Sequence, residues 1–196
     1  MDLNDQEHRR KIAKSATNLL FDFVKERQVK DNQKLSTNVH LLHKRKGKIN
    51  PKHMMKSPLC VIEKYSNAKE YYIYTIRHTE MVRTRKNNEW FEDEGFLITM
   101  YDADSVYDIT ITRHAIERAF ERLWKKFKDQ TTEDWTRSFM QSANSIKNAY
   151  TDYVQSKGYK YNYLKHQTIQ LPFNGLDAIV QVEKVDSLIV LTYVKG

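Results

Sequence analysis

The chain contains one cysteine, Cys60, and no extended apolar segment. A lone cysteine excludes an intramolecular disulfide and with it the disulfide-stapled class of secreted domains. No apolar run approaches about 18 residues, and the highly charged N-terminus has no signal-peptide core, so a membrane span and secretion are not expected. We therefore expect a cytoplasmic protein with no membrane partner.

Several motifs that carry familiar chemistry are also missing. The sequence has no glycine-rich phosphate loop, no Gly-x-Ser-x-Gly elbow and no Cys-x-x-Cys pair, which argues against nucleotide hydrolysis, serine hydrolysis and thiol redox chemistry. His40, His43 and His53 lack cysteine or carboxylate partners at metal-ligand spacing. We expect neither a metal nor a cofactor.

Positive charge is plentiful but concentrated at one end of the chain. Residues 1–56 hold 14 of the 33 Lys and Arg and 6 of the 25 acids, which accounts for the whole net charge of +8. From Lys30 to Lys56, eight basic residues face a single acid, Asp31. Such a basic arm can neutralise phosphates and bind nucleic acid regardless of sequence, but a solvated linker has the same composition. Under the first interpretation the binding residues include Lys44, Arg45, Lys46 and Lys48.

The rest of the pattern predicts one domain. With 40% apolar composition, 196 residues suffice for one sizeable core. Apolar residues at helical spacing predict an amphipathic helix from Asp5 to about Val29, and the polar stretch 30–56, with Gly47 and Pro51, predicts irregular structure. We divide the chain into an N-terminal helix and basic arm, 1–56, and a single α+β domain, 57–196.

Short β-branched and aromatic runs predict an antiparallel sheet with helices packed on one face. A second helix is predicted from the N-cap Thr112 to about Lys128. A third is predicted from the capping signature at 131–134 to Lys157, where Gly158 supplies a stop. The predicted strands are Leu59–Tyr65, Glu70–His78, Phe96–Tyr101, Val106–Ile111, Tyr159–Tyr163, Ala178–Glu183 and Leu188–Val194.

The segment from Ile111 to Leu123 has the clearest functional pattern. With Thr112 as N-cap, His114 falls in the first helical turn, where the helix dipole disfavours an imidazolium. At 100° per residue, His114, Arg118 and Arg122 lie on the face opposite the apolar residues. A neutral imidazole beside a guanidinium is what metal-free RNA cleavage needs: a base for the 2′-hydroxyl and a cation for the phosphate. A plain surface helix with ion-paired arginines fits the same pattern.

This helix and the end of the chain together resemble a known superfamily. The segment His114-Ala115-x-x-Arg118-x-x-x-Arg122 and the terminal strand with Ile189-Val190-x-Thr192 resemble the ribonuclease toxins of the barnase–EndoU–colicin–RelE superfamily, over about residues 109–194. The resemblance implies an α+β fold and metal-independent RNA cleavage that leaves a 2′,3′-cyclic phosphate. It also implies His114 as base or acid, Arg118 as the group that stabilises the phosphorane, and Thr192 as a hydrogen-bond donor to a phosphate oxygen.

Further residues extend this hypothesis. Arg113 and Arg122 are candidate nucleic-acid contacts beside His114, and His166 is a candidate second proton-transfer group, since such cleavage needs one group to take a proton and another to give one. A polar strand residue facing water is the alternative for His166. The alternating Tyr159, Tyr161 and Tyr163 are either a stacking platform for unpaired bases or rings packed on the core.

Two functions of different classes remain from the sequence. The first is a metal-independent endoribonuclease of toxin type, with RNA as substrate and a neutralising protein partner. The second is a non-enzymatic nucleic-acid-binding or regulatory protein of a mobile element, which binds through Lys30–Lys56.

Overall fold

Three helices and a seven-stranded sheet make up the described part of the chain in the computed structural model. The structure describes the backbone of residues 3–44, 56–64, 71–102, 105–158 and 164–195. The elements in chain order are α1 (Leu3–Lys44), β1 (Cys60–Lys64), β2 (Tyr71–Lys86), β3 (Glu89–Tyr101), β4 (Val106–Thr112), α2 (Arg113–Phe127), α3 (Thr132–Lys157), β5 (Thr168–Phe173), β6 (Leu176–Lys184) and β7 (Ser187–Lys195).

The predicted α+β class is confirmed, but the sheet is mixed rather than wholly antiparallel. Its order is β1-β2-β3-β4-β7-β6-β5, and within the described ranges β4–β7 is the one parallel pair. The cause is topological. Antiparallel neighbours form two groups, β1–β4 and β5–β7, and the crossover through α2 and α3 brings the groups together with β4 and β7 running in the same direction. The last strand therefore lies in the middle of the sheet.

One face of the sheet is a continuous apolar surface covered by the helices. Ile98, Ile109, Leu188 and Val182 are neighbours in register across β3, β4, β7 and β6, and all four are fully buried. Alternation along β5 shows the same division, because its buried residues alternate with exposed ones throughout. The helices bury their own apolar stripes on this face, as expected from the sequence.

The N-terminal helix α1 packs on the same core. Leu20, Phe21 and Val24 are buried, and the ring of Phe21 stacks on Phe96 with 4.2 Å between centroids. The irregular structure predicted for 30–56 is wrong over 30–44, where the helix continues, because the first glycine or proline of this stretch is Gly47. Within the described residues, no helix, α1 included, is both long and apolar enough to cross a bilayer.

The predicted helix boundaries around α2 and α3 are confirmed. The Thr112 hydroxyl accepts a hydrogen bond from the Ala115 amide at the start of α2. Thr131 and Asp134 form a reciprocal capping box at the start of α3, and Gly158 ends that helix in the left-handed conformation. Local capping signals therefore specify where both helices begin.

Strands β2 and β3 are much longer than the predicted strands Glu70–His78 and Phe96–Tyr101, and they form one long hairpin. After an irregularity between Thr79 and Val82, the two strands continue as a second ladder that ends in a turn at Asn87 and Asn88, both with positive φ. We call residues 82–93 the β2–β3 arm. One residue pair before this turn, the Arg85 amide donates to Gln181 Oε1 on β6 at 2.9 Å, so the arm extends over the sheet face opposite the helices.

Candidate functional site

An open groove of about 960 Å³ lies between the β2–β3 arm, the start of α2, the strand β7 and the turn before β5. It brings together residues that are far apart in the sequence. The lining side chains that can transfer protons, donate hydrogen bonds or carry positive charge include His114, His166, Thr192, Arg85, Lys86 and Lys165. Of the three residues predicted to be catalytic, His114 and Thr192 line this groove.

Thr112 joins the start of α2 to the last strand. Its hydroxyl donates to the Leu191 carbonyl at 3.1 Å and accepts from the Ala115 amide at 3.1 Å. A single buried side chain thus caps the helix and fixes it against β7. His114, two residues further on, is held close to the strand that carries Thr192.

A β-bulge lies beside Thr192. Ile179 pairs with Thr192 and Val180 pairs with Val190, which leaves Leu191 as the extra residue of β7. Bulges of this kind change the direction of neighbouring side chains and are common next to active sites. Leu191 and Thr192 both line the groove as a result.

His114 is exposed at the first turn of α2. Its backbone N–H lies 3.4 Å from Asp93 Oδ2, and the other oxygen of Asp93 accepts from the Glu94 amide at 2.9 Å. The carboxylate at the base of the arm therefore sits at the positive end of the helix dipole, where negative charge is favourable. This contact attaches the arm to α2 and closes that end of the groove.

His166 belongs to a turn before β5, so its placement in a strand was wrong. Its φ is 62°, in the left-handed region that few residues other than glycine adopt. Its backbone N–H donates to the Val182 carbonyl at 2.7 Å. Its Nδ1 lies 3.7 Å from Glu183 Oε1, which is ion-pair distance but too long for a hydrogen bond. The ring makes a T-shaped contact with Trp90 of the arm, with 5.8 Å between centroids. A strained backbone and contacts on two sides hold this imidazole in the groove wall.

Sequence reasoning missed the positive charges of the groove. Arg85 and Lys86 come from the arm, and Lys165 precedes His166 in the turn. Two carboxylates, Glu92 and Asp93, also line the groove, so its cationic side chains outnumber its anionic ones by one before either histidine is counted. The alternation of Arg83 and Arg85 along β2 was the available signal, but only the extended hairpin brings Arg85 into the groove that His114 lines.

The three arginines of α2 lie elsewhere. The Arg118 guanidinium pairs with Glu121 at 2.7 Å and is not among the groove-lining residues. Arg122 is also outside the groove, and its buried Nε has no hydrogen-bond partner within the described structure. Arg113 pairs with Glu94 at 2.5 Å and contacts Asn18 of α1.

The structure does not describe the side chains of several other predicted binding residues. Lys44 is the last residue of α1, while Arg45, Lys46 and Lys48 lie outside the described residues. The tyrosine alternation at 159–163 lies outside them too.

Metal and thiol chemistry have no evident site in the described ranges. No group of three or more His, Cys, Asp or Glu side chains there could hold a metal ion. Burial raises the pKa of the Cys60 thiol to about 12, which keeps it protonated and unreactive near neutral pH.

The groove combines two imidazoles, a hydroxyl, an arginine and lysines on a concave surface. Such a set can take a proton, return a proton and stabilise a negatively charged phosphorus centre without a metal. Comparisons of the chain with protein-family models, with curated proteins and with solved structures gave no match.

Proposed function

We propose that this chain is a metal-independent endoribonuclease of toxin type, which cleaves RNA by attack of a 2′-hydroxyl on the adjacent phosphate. One observation carries the proposal: His114, His166 and Thr192, contributed by distant parts of the sequence, line one groove with Arg85 and Lys165. Transesterification of RNA needs a proton acceptor, a proton donor and a cation around one phosphate. The groove supplies each of them.

The two histidines divide the proton transfers. One imidazole takes the proton of the 2′-hydroxyl as its oxygen attacks the phosphorus. The other gives a proton to the 5′-oxygen as the bond from phosphorus to that oxygen breaks. The products are a 2′,3′-cyclic phosphate and a 5′-hydroxyl, and the histidines finish with their protonation states exchanged. The contact of His166 Nδ1 with Glu183 leaves Nε2 as the nitrogen that serves the substrate.

Arg85 and Lys165 take the role that the resemblance gave to Arg118. The Arg118 guanidinium is engaged by Glu121, whereas Arg85 and Lys165 line the groove beside the histidines. Preorganised cations next to a pentacoordinate phosphorus stabilise the charge that develops in the transition state. The Thr192 hydroxyl, on the bulged strand, donates to a phosphate oxygen.

The arrangement of the two motif elements supports the superfamily resemblance. The helix start with His114 and the strand with Thr192 are joined directly by the hydrogen bond from Thr112 to the Leu191 carbonyl. Two motifs whose connecting hydrogen bond spans 79 residues of the chain thus meet in one site. If the resemblance were due to chance, there would be no reason for the two motifs to be neighbours in the fold.

Cleavage of total RNA in EDTA tests the proposal. We expect the wild type to leave cyclic-phosphate and 5′-hydroxyl ends, and His114→Ala and His166→Ala each to lower the rate by about 100-fold or more. His8→Ala removes an exposed histidine of α1 and should cleave like the wild type. A wild type without activity in EDTA, or His114→Ala with full activity, contradicts the proposal.

Two substitutions, one at Arg85 and one at Arg118, test which arginine stabilises the phosphate. Arg85→Ala should lower kcat/KM by about 100-fold, because it removes charge from the groove, while Arg118→Ala should stay within about twofold of the wild type. The opposite result would return the phosphate-stabilising role to Arg118.

Nucleic-acid binding without catalysis is the second candidate. It is favoured by the confinement of the whole net charge of +8 to residues 1–56. Retention of RNA affinity by a wild type that cannot cleave would select this function. In either case we place the activity in the cytoplasm, with RNA as ligand and a neutralising protein as partner of the ribonuclease.

A further inference from the structure

Two consecutive residues of the β2–β3 arm expose large aromatic side chains, which point to opposite faces of the hairpin. Trp90 is 46% exposed and Phe91 is 47% exposed. Neither ring is needed to fill the core. Exposed aromatic rings are surfaces on which proteins stack ligands with flat faces.

Phe91 belongs to the groove lining, and Trp90 lies outside the lining but contacts one of its histidines. Phe91 lines the groove together with His114. Trp90 meets the His166 ring edge to face, at an interplanar angle of 82°. A base stacked on either ring would therefore belong to a nucleotide close to the phosphate that the histidines address.

The surroundings of Trp90 are cationic. The guanidinium carbons of Arg83 and Arg85 lie 5.2 and 5.8 Å from the centre of its ring. These cation–π contacts place both guanidinium groups over the indole ring and hold it in position. The ring remains 46% exposed, so a base still has room to stack on it. Glu92 lies opposite Arg83 in the ladder and offsets part of that charge, but Arg85 lies opposite Trp90 itself. The combination suits a nucleotide, whose base is flat and neutral and whose phosphate is negative.

We propose that Trp90 and Phe91 form a stacking subsite for unpaired bases that flank the cleaved phosphate, so that the substrate is single-stranded RNA. As a statement about substrate, the inference rests on the ribonuclease function proposed above. Duplex RNA is excluded because its bases are covered by their neighbours in the stack and cannot reach the rings.

Binding to an RNA that cannot be cleaved tests the subsite separately from catalysis. The probe is a fluorescent 2′-O-methyl RNA octamer of mixed sequence, either single-stranded or annealed to its complement, measured by anisotropy in EDTA. We expect the single strand to bind at least about tenfold more tightly than the duplex. Trp90→Leu and Phe91→Leu should each weaken binding of the single strand by about tenfold, and Trp90→Phe should bind like the wild type.

Met81→Ala is the matched control, since Met81 is an exposed apolar residue of β2, 60% exposed, outside the groove lining. It should leave the affinity unchanged. Because all these side chains are exposed, the variants should unfold at wild-type temperatures, which circular dichroism checks.

Tryptophan fluorescence gives a second readout. Stacking of a base on Trp90 should quench part of the emission, while Trp124 and Trp135 lie between α2 and α3 and contact each other. In Trp90→Phe the quenching should vanish although the affinity remains. Quenching that persists in Trp90→Phe would remove Trp90 from the subsite.

The outcomes separate the two proposals. If the wild type cannot cleave RNA but the leucine variants lose affinity, the ribonuclease is overturned and the subsite stands. If the wild type cleaves RNA while both leucine variants bind like the wild type, or duplex binds as tightly as single strand, the subsite is overturned and the ribonuclease stands.

Discussion

At the scale of single residues, Glu94 joins three elements of the fold. Its carboxylate contacts His78 of β2 at 2.9 Å, Arg113 of α2 at 2.5 Å and Lys25 of α1 at 3.7 Å. The Arg113 side chain is therefore held by Glu94 and has a structural role beside the groove. The helix that carries His114 is therefore attached to α1 and to the sheet through one carboxylate.

The charge on Glu94 should make stability fall in acid. Burial raises the pKa of Glu94, but hydrogen bonds from His78 and Arg113 and the positive charges of Arg113 and Lys25 outweigh burial and lower it below 4.5. Because the folded-state pKa is below the unfolded one, this stabilisation is complete above about pH 4.5 and is lost as the pH falls through the folded value. Urea unfolding across pH 3–7 measures the loss.

Glu94→Gln isolates this contribution. We expect this substitution to lower the free energy of unfolding at pH 7 by about 1–2 kcal/mol, since the contacts are partly screened by solvent. The free energy of unfolding of the variant should also decrease less steeply with falling pH than that of the wild type. Glu7→Gln removes an exposed carboxylate of α1, 67% exposed, and should retain the wild-type profile. Parallel pH profiles for Glu94→Gln and the wild type would show that Glu94 does not cause the acid sensitivity.

At the scale of elements, the start of α2 depends on close contact between β3 and β4. Gly95 pairs with Thr112, and a Cβ atom at Gly95 would lie 2.3 Å from the Ile111 carbonyl oxygen. That oxygen belongs to rigid backbone just before the N-cap, so it cannot move without moving the helix start. A side chain at this position pushes β4, and with it the start of α2, away from β3.

We expect Gly95→Ala to lose both stability and catalysis. Overpacking against backbone should cost about 2–3 kcal/mol of unfolding free energy, and displacement of His114 should lower kcat more than it raises KM. Gly158→Ala is the control: the added Cβ meets nothing within 4 Å, so only the cost of the left-handed backbone, about 1 kcal/mol, applies and catalysis should remain. A Gly95→Ala protein with wild-type kcat would show that the helix start is not fixed by this contact.

The same elements show what the sequence could and could not predict. Capping at Thr112 and Thr131, and the final hairpin, are local signals, so α2, α3 and β6–β7 were predicted correctly. The arm depends on an irregularity near Thr79 and on contact with β6, about 100 residues away, which no local pattern encodes. Arg85 was therefore missed. The long α1 was missed because its polar half has no apolar stripe to mark it as helical.

At the scale of the whole molecule, positive charge occurs in two places, the groove and the N-terminal part of the chain. The groove holds Arg85, Lys86 and Lys165 close to the histidines, with two carboxylates beside them. Residues 1–56 carry the whole net charge of +8. Under the proposed function, the nearly balanced groove would stabilise one phosphate at short range, and the charged N-terminal part would attract the polyanion as a whole. Affinity and catalysis should therefore respond to different substitutions.

Removal of the basic cluster at 44–48 tests this division. The variant replaces four residues by glutamine: Lys44, Arg45, Lys46 and Lys48. If all four contact phosphates of a single strand, the slope of log affinity against log salt should shrink by about 3, since each contact releases about 0.7 counterion. The rate at saturating RNA should be unchanged because the groove is intact.

A second variant with the same loss of charge decides whether position matters. It replaces four exposed basic residues at α2 and α3 by glutamine: Lys125, Lys126, Lys128 and Arg137. Only general attraction to the polyanion weakens in this protein, so its salt slope should stay close to that of the wild type. If the salt slope decreased equally in the two variants, affinity would depend on total charge alone. Residues 44–48 would then belong to a linker and would not bind nucleic acid directly.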